Sequence, residues 1–145
     1  MRTLREGVLV AEAWTELLAC RARLRLPRLL AAEAFLRREM RGPTPEPTTG
    51  PSRDALLLAF TRAVNAQPGT PGCLPRSLAL RRFLVRNGEP GRIHLGLKRK
   101  AGRLRGHAWV EVAGRIVSGD EAFVRSFTRL QTARRDRSVA PGEEG

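Results

Sequence analysis

Between about Gly7 and Arg25 the apolar residues Val8, Ala11, Trp14, Leu17, Leu18 and Leu24 recur at roughly helical spacing, with arginines outside the stripe. This period predicts an amphipathic helix. Pro27 fits the start of a second helix carrying Leu29, Leu30, Ala34, Leu36 and Met40, because proline is tolerated only in a first turn. Prolines at 43, 45, 47 and 51 exclude helix or central strand from the next stretch, which reads as an extended connector. A third helix is predicted after Ser52, a fitting N-cap, with Asp54 in the first turn and Leu56, Leu57, Phe60, Ala63 and Val64 as its apolar stripe. The loop from Asn65 to Gly72 then delivers the chain to a fourth helix. That helix opens close to Cys73, since Pro75 must lie in its first turn; it carries Leu74, Leu78 and Leu84, and Asn87-Gly88 stops it.

Beyond this helix the pattern changes. Strands are predicted near Arg92 to Lys98, Leu104 to Val112 and Arg115 to Ser118, with a turn at Gly102. In the middle strand His107, Trp109 and Glu111 share one face, while Ala108, Val110 and Val112 share the other. A two-residue Ala113-Gly114 turn would set Glu111 against Ile116, Trp109 against Ser118 and His107 against Asp120. Directly opposed residues have Cβ atoms about 5 Å apart on one face. The order is α+β: helices first, then a small antiparallel sheet. The Cys73 helix is expected on the His107 face, and the N-terminal helices partly on the opposite one. One domain is expected overall, divided into a helical part (1–41), a connector (42–52), a core holding the chemistry (53–130) and a disordered tail (131–145).

Composition adds one odd feature. The chain has 145 residues, 41% of them hydrophobic, which is a globular composition, but a net charge of +13. The basic residues are 25 arginines and two lysines, Lys98 and Lys100, a ratio to which the codon usage of a GC-rich genome contributes. Such a surface favours acidic partners. The arginines are nonetheless scattered, without helix-turn-helix, zinc-finger or RNA-binding patterns, so nucleic-acid binding is a minority reading. The longest apolar run, Ala55 to Phe60, is too short to span a bilayer, and two unpaired-looking cysteines fit a reducing cytoplasm.

The candidate chemistry is Cys73, His107 and Asp120. A thiol acts as nucleophile when ionised, so it needs a base within hydrogen-bond reach and a third group to orient that base. Charge on Cys73 would be favoured by the free amides of a helix start and by Arg76. Cys20, inside an apolar helical stretch, reads as a small buried hydrophobe, and His94 as a strand residue. Neither paired C-x-x-C nor H-x-x-x-H spacing is present, so no metal or cofactor is expected.

Cys73-Leu-Pro-Arg-Ser-Leu-Ala-Leu80, Leu84-x-Arg-x-Gly88, Leu95-Gly-Leu97, and His107-Ala-Trp-Val-Glu111 with Gly114 and Asp120 resemble the transglutaminase-like cysteine peptidases of lasso-peptide biosynthesis. These are the leader-removing B proteins, here in the form without a fused leader-recognition domain. The resemblance covers roughly residues 54 to 130. It implies a transglutaminase/papain-like fold and a cysteine peptidase of the bacterial cytoplasm, with Cys73 as nucleophile, His107 as base and Asp120 as orienting acid. The family acid often falls where Gly119 stands here; Asp120 is the nearest carboxylate, and Glu111 is the alternative. Gln67 is a candidate oxyanion donor, and Arg76, Ser77 and Trp109 are candidate substrate contacts. The implied substrate is a ribosomal precursor peptide, cut at the leader–core junction to free the core for a separate lasso cyclase. The implied partner is a separate leader-recognition protein, meeting the basic surface or the N-terminal helices. An acyltransferase on the same scaffold, and a non-catalytic scaffold or nucleic-acid-binding protein, are the competing readings.

Overall fold

The computed structural model describes residues 2–25, 29–41, 46 and 48–130. The expected start of the second helix at Pro27, much of the connector and the expected tail 131–145 lie outside these residues. The apolar periods fold as the helices α1 (Arg2–Arg25), α2 (Leu29–Arg41), α3 (Arg53–Asn65) and α4 (Cys73–Arg86). Ser52 caps α3, its hydroxyl accepting the Ala55 N–H at 3.3 Å. Gly72 occupies the N-cap of α4 without a side-chain bond, so Cys73 is the first helical residue.

The strands are β1 (Gly91–Lys100), β2 (Arg103–Val112) and β3 (Arg115–Ile116). Ala101-Gly102 joins β1 to β2 and Ala113-Gly114 joins β2 to β3. All four turn residues have positive φ, as two-residue hairpin turns with primed geometry require. After β3 come a short helix, α5 (Glu121–Arg125), and β4 (Thr128–Arg129), which pairs with the far side of β1. The sheet is antiparallel throughout, in the order β3-β2-β1-β4.

The two faces of the sheet carry separate cores. Ile93, Val110 and Val112 meet Leu78, Ala79, Leu80, Phe83 and Leu84 of α4, behind which lie Leu17 and Cys20 of α1 and Leu56 and Phe60 of α3. On the other face Trp109, Val124, Phe127 and Ile116 form a smaller cluster. Gly96 is needed there: a Cβ on it would sit 2.8 Å from the Trp109 ring and 2.9 Å from Phe127 Cβ. The placement of the Cys73 helix is therefore corrected, because α4 packs on the Ala108, Val110 and Val112 face. That face offers the continuous apolar surface an amphipathic helix must bury, while His107, Trp109 and Glu111 do not.

Charged side chains tie the helices together. Glu16 and Glu39 are buried, and between them they hold Arg81 and Arg82; Arg82 bonds Glu16 at 2.9 Å and Glu39 at 2.8 Å. Part of the arginine excess is thus structural. Among the described residues no helix is long and apolar enough to cross a membrane.

Candidate active site

Cys73 is exposed at the start of α4, and Cys20 is fully buried in the core, where burial pushes its thiol up to about 11. The two cysteines therefore separate as the sequence reading has it. One turn after Cys73, the Ser77 hydroxyl donates to the Ala108 carbonyl at 2.9 Å in the interior. This bond fixes the first turns of α4 against β2 at the residue beside His107. Since β3 ends opposite Glu111, the Ala108 carbonyl has no strand partner on that edge, and the Ser77 hydroxyl takes the place of one.

His107 projects to the other face. Its ring lies 5.1 Å from the Phe127 ring, 5.2 Å edge-on from Phe123 and 6.2 Å from Trp109. Lys98 Nζ stands over both phenylalanine rings, at 4.6 and 4.3 Å, and donates to Ser126 Oγ at 3.0 Å. Burial, aided by the Lys98 charge, lowers the His107 pKa, so its imidazole is held neutral. Among the described residues no hydrogen bond joins it to Cys73 or to a carboxylate. Thiol and base thus belong to adjoining pieces of backbone but face different environments.

The hairpin register holds at Glu111–Ile116 and Val112–Arg115 and then stops. Ser118 leaves the ladder because its own hydroxyl accepts the Val110 N–H at 2.8 Å. Gly119, with φ +85°, turns the chain, and Asp120 caps α5 by accepting the Ala122 N–H at 3.0 Å. The expected Trp109–Ser118 and His107–Asp120 pairings are therefore corrected: side-chain capping replaces strand pairing beyond Val117. Asp120 is exposed and α5 bears Phe123 onto the His107 ring.

Glu111, the alternative acid, serves the other histidine. Its Oε2 lies 3.3 Å from His94 Nε2, and its Oε1 accepts from Trp109 Nε1 at 3.0 Å and from Arg129. Burial lowers the His94 pKa against the pull of Glu111. The His94–Glu111–Arg129 group had a legible signal. The Ala101-Gly102 turn sets His94 opposite Trp109, one step along the same face from Glu111. The Phe123 and Phe127 pair, at helical spacing after a good N-cap, was a second such signal.

Gln67 is buried and turned toward α1: its Nε2 donates to the Trp14 carbonyl at 3.4 Å and its Oε1 accepts from Arg21 at 2.9 Å. Both ends of its amide are thus bonded on the α1 side. Ser77 and Trp109, the other expected substrate contacts, are both buried, and Trp109 lines a cleft on the His107 face with Glu111, Val124, Phe127 and Arg129. Arg76 is half-buried in the first turn of α4. Among the described residues no group of three His, Cys, Asp or Glu side chains is placed to hold a metal ion.

Residues 13–132 match the family model described as the transglutaminase-like superfamily. No curated protein and no solved structure matches the chain.

Proposed function

The chain belongs to the transglutaminase-like superfamily, and from that premise we propose that it is a cysteine peptidase which removes the leader from a lasso-peptide precursor. The observation that carries this reading is the exposed Cys73 thiol at the start of α4, one turn before the Ser77–Ala108 bond that ties this helix to the His107 strand. Four residues of helix are about 6 Å of rise, so Cys73 stands one turn from the point where Ser77 anchors α4 to β2. In the reaction neutral His107 takes the Cys73 proton, the thiolate attacks the scissile carbonyl, and the imidazolium so formed gives that proton to the leaving amine. His107 then activates water to hydrolyse the thioester. The neutral state of His107 is the one a base requires.

Assembly of the pair is a step of this mechanism. His107 must leave the Phe123 and Phe127 rings, and the 117–120 segment must extend along β2 for Asp120 to meet it in the register the hairpin starts. The proposed setting is a bacterial cytoplasm, with a separate recognition protein presenting the leader and a cyclase taking the core. One observation favours a second reading, a non-catalytic scaffold: the His107 ring is walled by aromatic rings and, among the described residues, bonds neither thiol nor carboxylate.

Mass spectrometry of a precursor peptide incubated with the protein, with and without the recognition partner, separates the two. The peptidase reading predicts a leader and a core fragment, lost in Cys73→Ala and retained in Cys20→Ala. Asp120→Asn is expected to leave weak cleavage and Glu111→Gln to cost less. An uncleaved precursor in the presence of the partner contradicts the peptidase reading.

A further inference from the structure

Next to Cys73 the chain forms an open cleft of about 390 Å³ between the end of α1 and the start of α4. Arg21, Leu24 and Arg25 make one wall, and Pro71, Leu74 and Pro75 the other. Gly72 and Leu74, the chain neighbours of the thiol residue, both line it. Cys73 itself does not line the cleft, which borders the thiol residue through these two chain neighbours.

Its chemistry is one-sided. Four of these six side chains are apolar, two are cationic, and none of the described lining residues is acidic. The Arg21 guanidinium is fixed in place, since its Nη1 donates to Gln67 Oε1 at 2.9 Å and to the Pro68 carbonyl at 3.3 Å. Both acceptors are neutral, and among the described residues no carboxylate pairs with this arginine. Gln67, held in turn by the Trp14 carbonyl, acts as the support of this arginine. The opposite wall has two prolines, which lack an N–H and so give a passing peptide backbone few donors. Recognition here must come from side chains: an apolar group against Leu24, Leu74 and the prolines, and an anion against the arginines.

Resting on the reading of Cys73 as a nucleophile, we propose that this cleft seats the substrate residues flanking the scissile bond and selects an apolar side chain with a carboxylate next to it. Its volume matches one or two side chains, at the lower end of small-ligand sites. The matching charge would both raise the encounter rate and hold the segment in register.

Thiol labelling tests the cleft without any precursor. Second-order rates of Cys73 modification by 6-maleimidohexanoic acid, its neutral amide and N-ethylmaleimide are measured by peptide mapping and normalised to glutathione. The acid, an apolar chain ending in a carboxylate, is expected to react faster than its amide, on the order of ten-fold at low salt. The preference should shrink in 0.5 M salt, reverse in Arg25→Glu and weaken in Arg21→Gln. Arg25 is exposed, so its variant keeps the fold; circular dichroism checks both. Equal normalised rates for acid and amide, with N-ethylmaleimide labelling Cys73 normally, overturn the cleft and leave the nucleophile standing. Failure of N-ethylmaleimide to label Cys73 in the folded protein overturns both.

Discussion

Among single side chains, the two imidazoles sit in different electrostatic settings on one face of the sheet. His94 lies beside Glu111, with Arg129 and Arg92 acting against that carboxylate; His107 has the Lys98 ammonium for its charged neighbour and aromatic rings for the rest. In both, burial is the largest influence and lowers the pKa. A lowered folded value means that the unfolded chain binds the proton more tightly. Their contribution to stability is therefore intact above the ordinary imidazole value near 6.5 and falls as the pH drops through the lowered folded value. Urea denaturation at pH 7.5 and 5.5 should show lower stability at the acid pH, with a smaller difference in His107→Gln. An identical pH dependence in parent and variant would show that His107 titrates freely. The opposite exposure of Cys20 and Cys73 was legible from their places in the helical pattern. The packing of His107 among aromatic rings was not, because it depends on where α5 sets Phe123 and where the chain after it sets Phe127.

For whole elements, the link between α4 and β2 is the main determinant of the site. Ser77 joins them through a buried bond at the point where β3 no longer pairs with β2. Ser77→Ala leaves the Ala108 carbonyl without its partner, at a cost of about 1–3 kcal/mol. The account predicts that loss in chemical denaturation, and a fall in kcat larger than any rise in KM, because the thiol residue would lose its fixed position. A variant with parental kcat would show that α4 is held by its apolar face alone. The helix start at Cys73 and both hairpin turns were readable from Pro75 and from the Ala-Gly pairs. The end of β3 was not. Strand period continues through Val117-Ser118, and only the Ser118 hydroxyl bonding Val110 N–H, with the Asp120 cap beyond it, diverts the chain into α5.

For the molecule as a whole, the arginines divide between structure and surface. Arg81 and Arg82 hold α1, α2 and α4 through Glu16 and Glu39, whereas Arg21 and Arg25 face the cleft beside Cys73. The α+β order was plain in the change from helical to alternating period. The N-terminal helices lie opposite His107 as the sequence leads one to expect, but α4 follows the apolar Ala108, Val110 and Val112 row rather than the histidine. Burial of that row decides the packing, and it leaves the base on the far side of the sheet from α4. Sulfur and imidazole are nevertheless proposed to act as one unit in turnover. Single-turnover cleavage of the precursor, with the recognition partner present, tests it in the parent, Cys73→Ala, His107→Ala and the double variant. Members of one catalytic unit give losses that do not add. Each single change is expected to remove cleavage, with the double variant no worse than either. Cleavage at the parental rate in His107→Ala would contradict it.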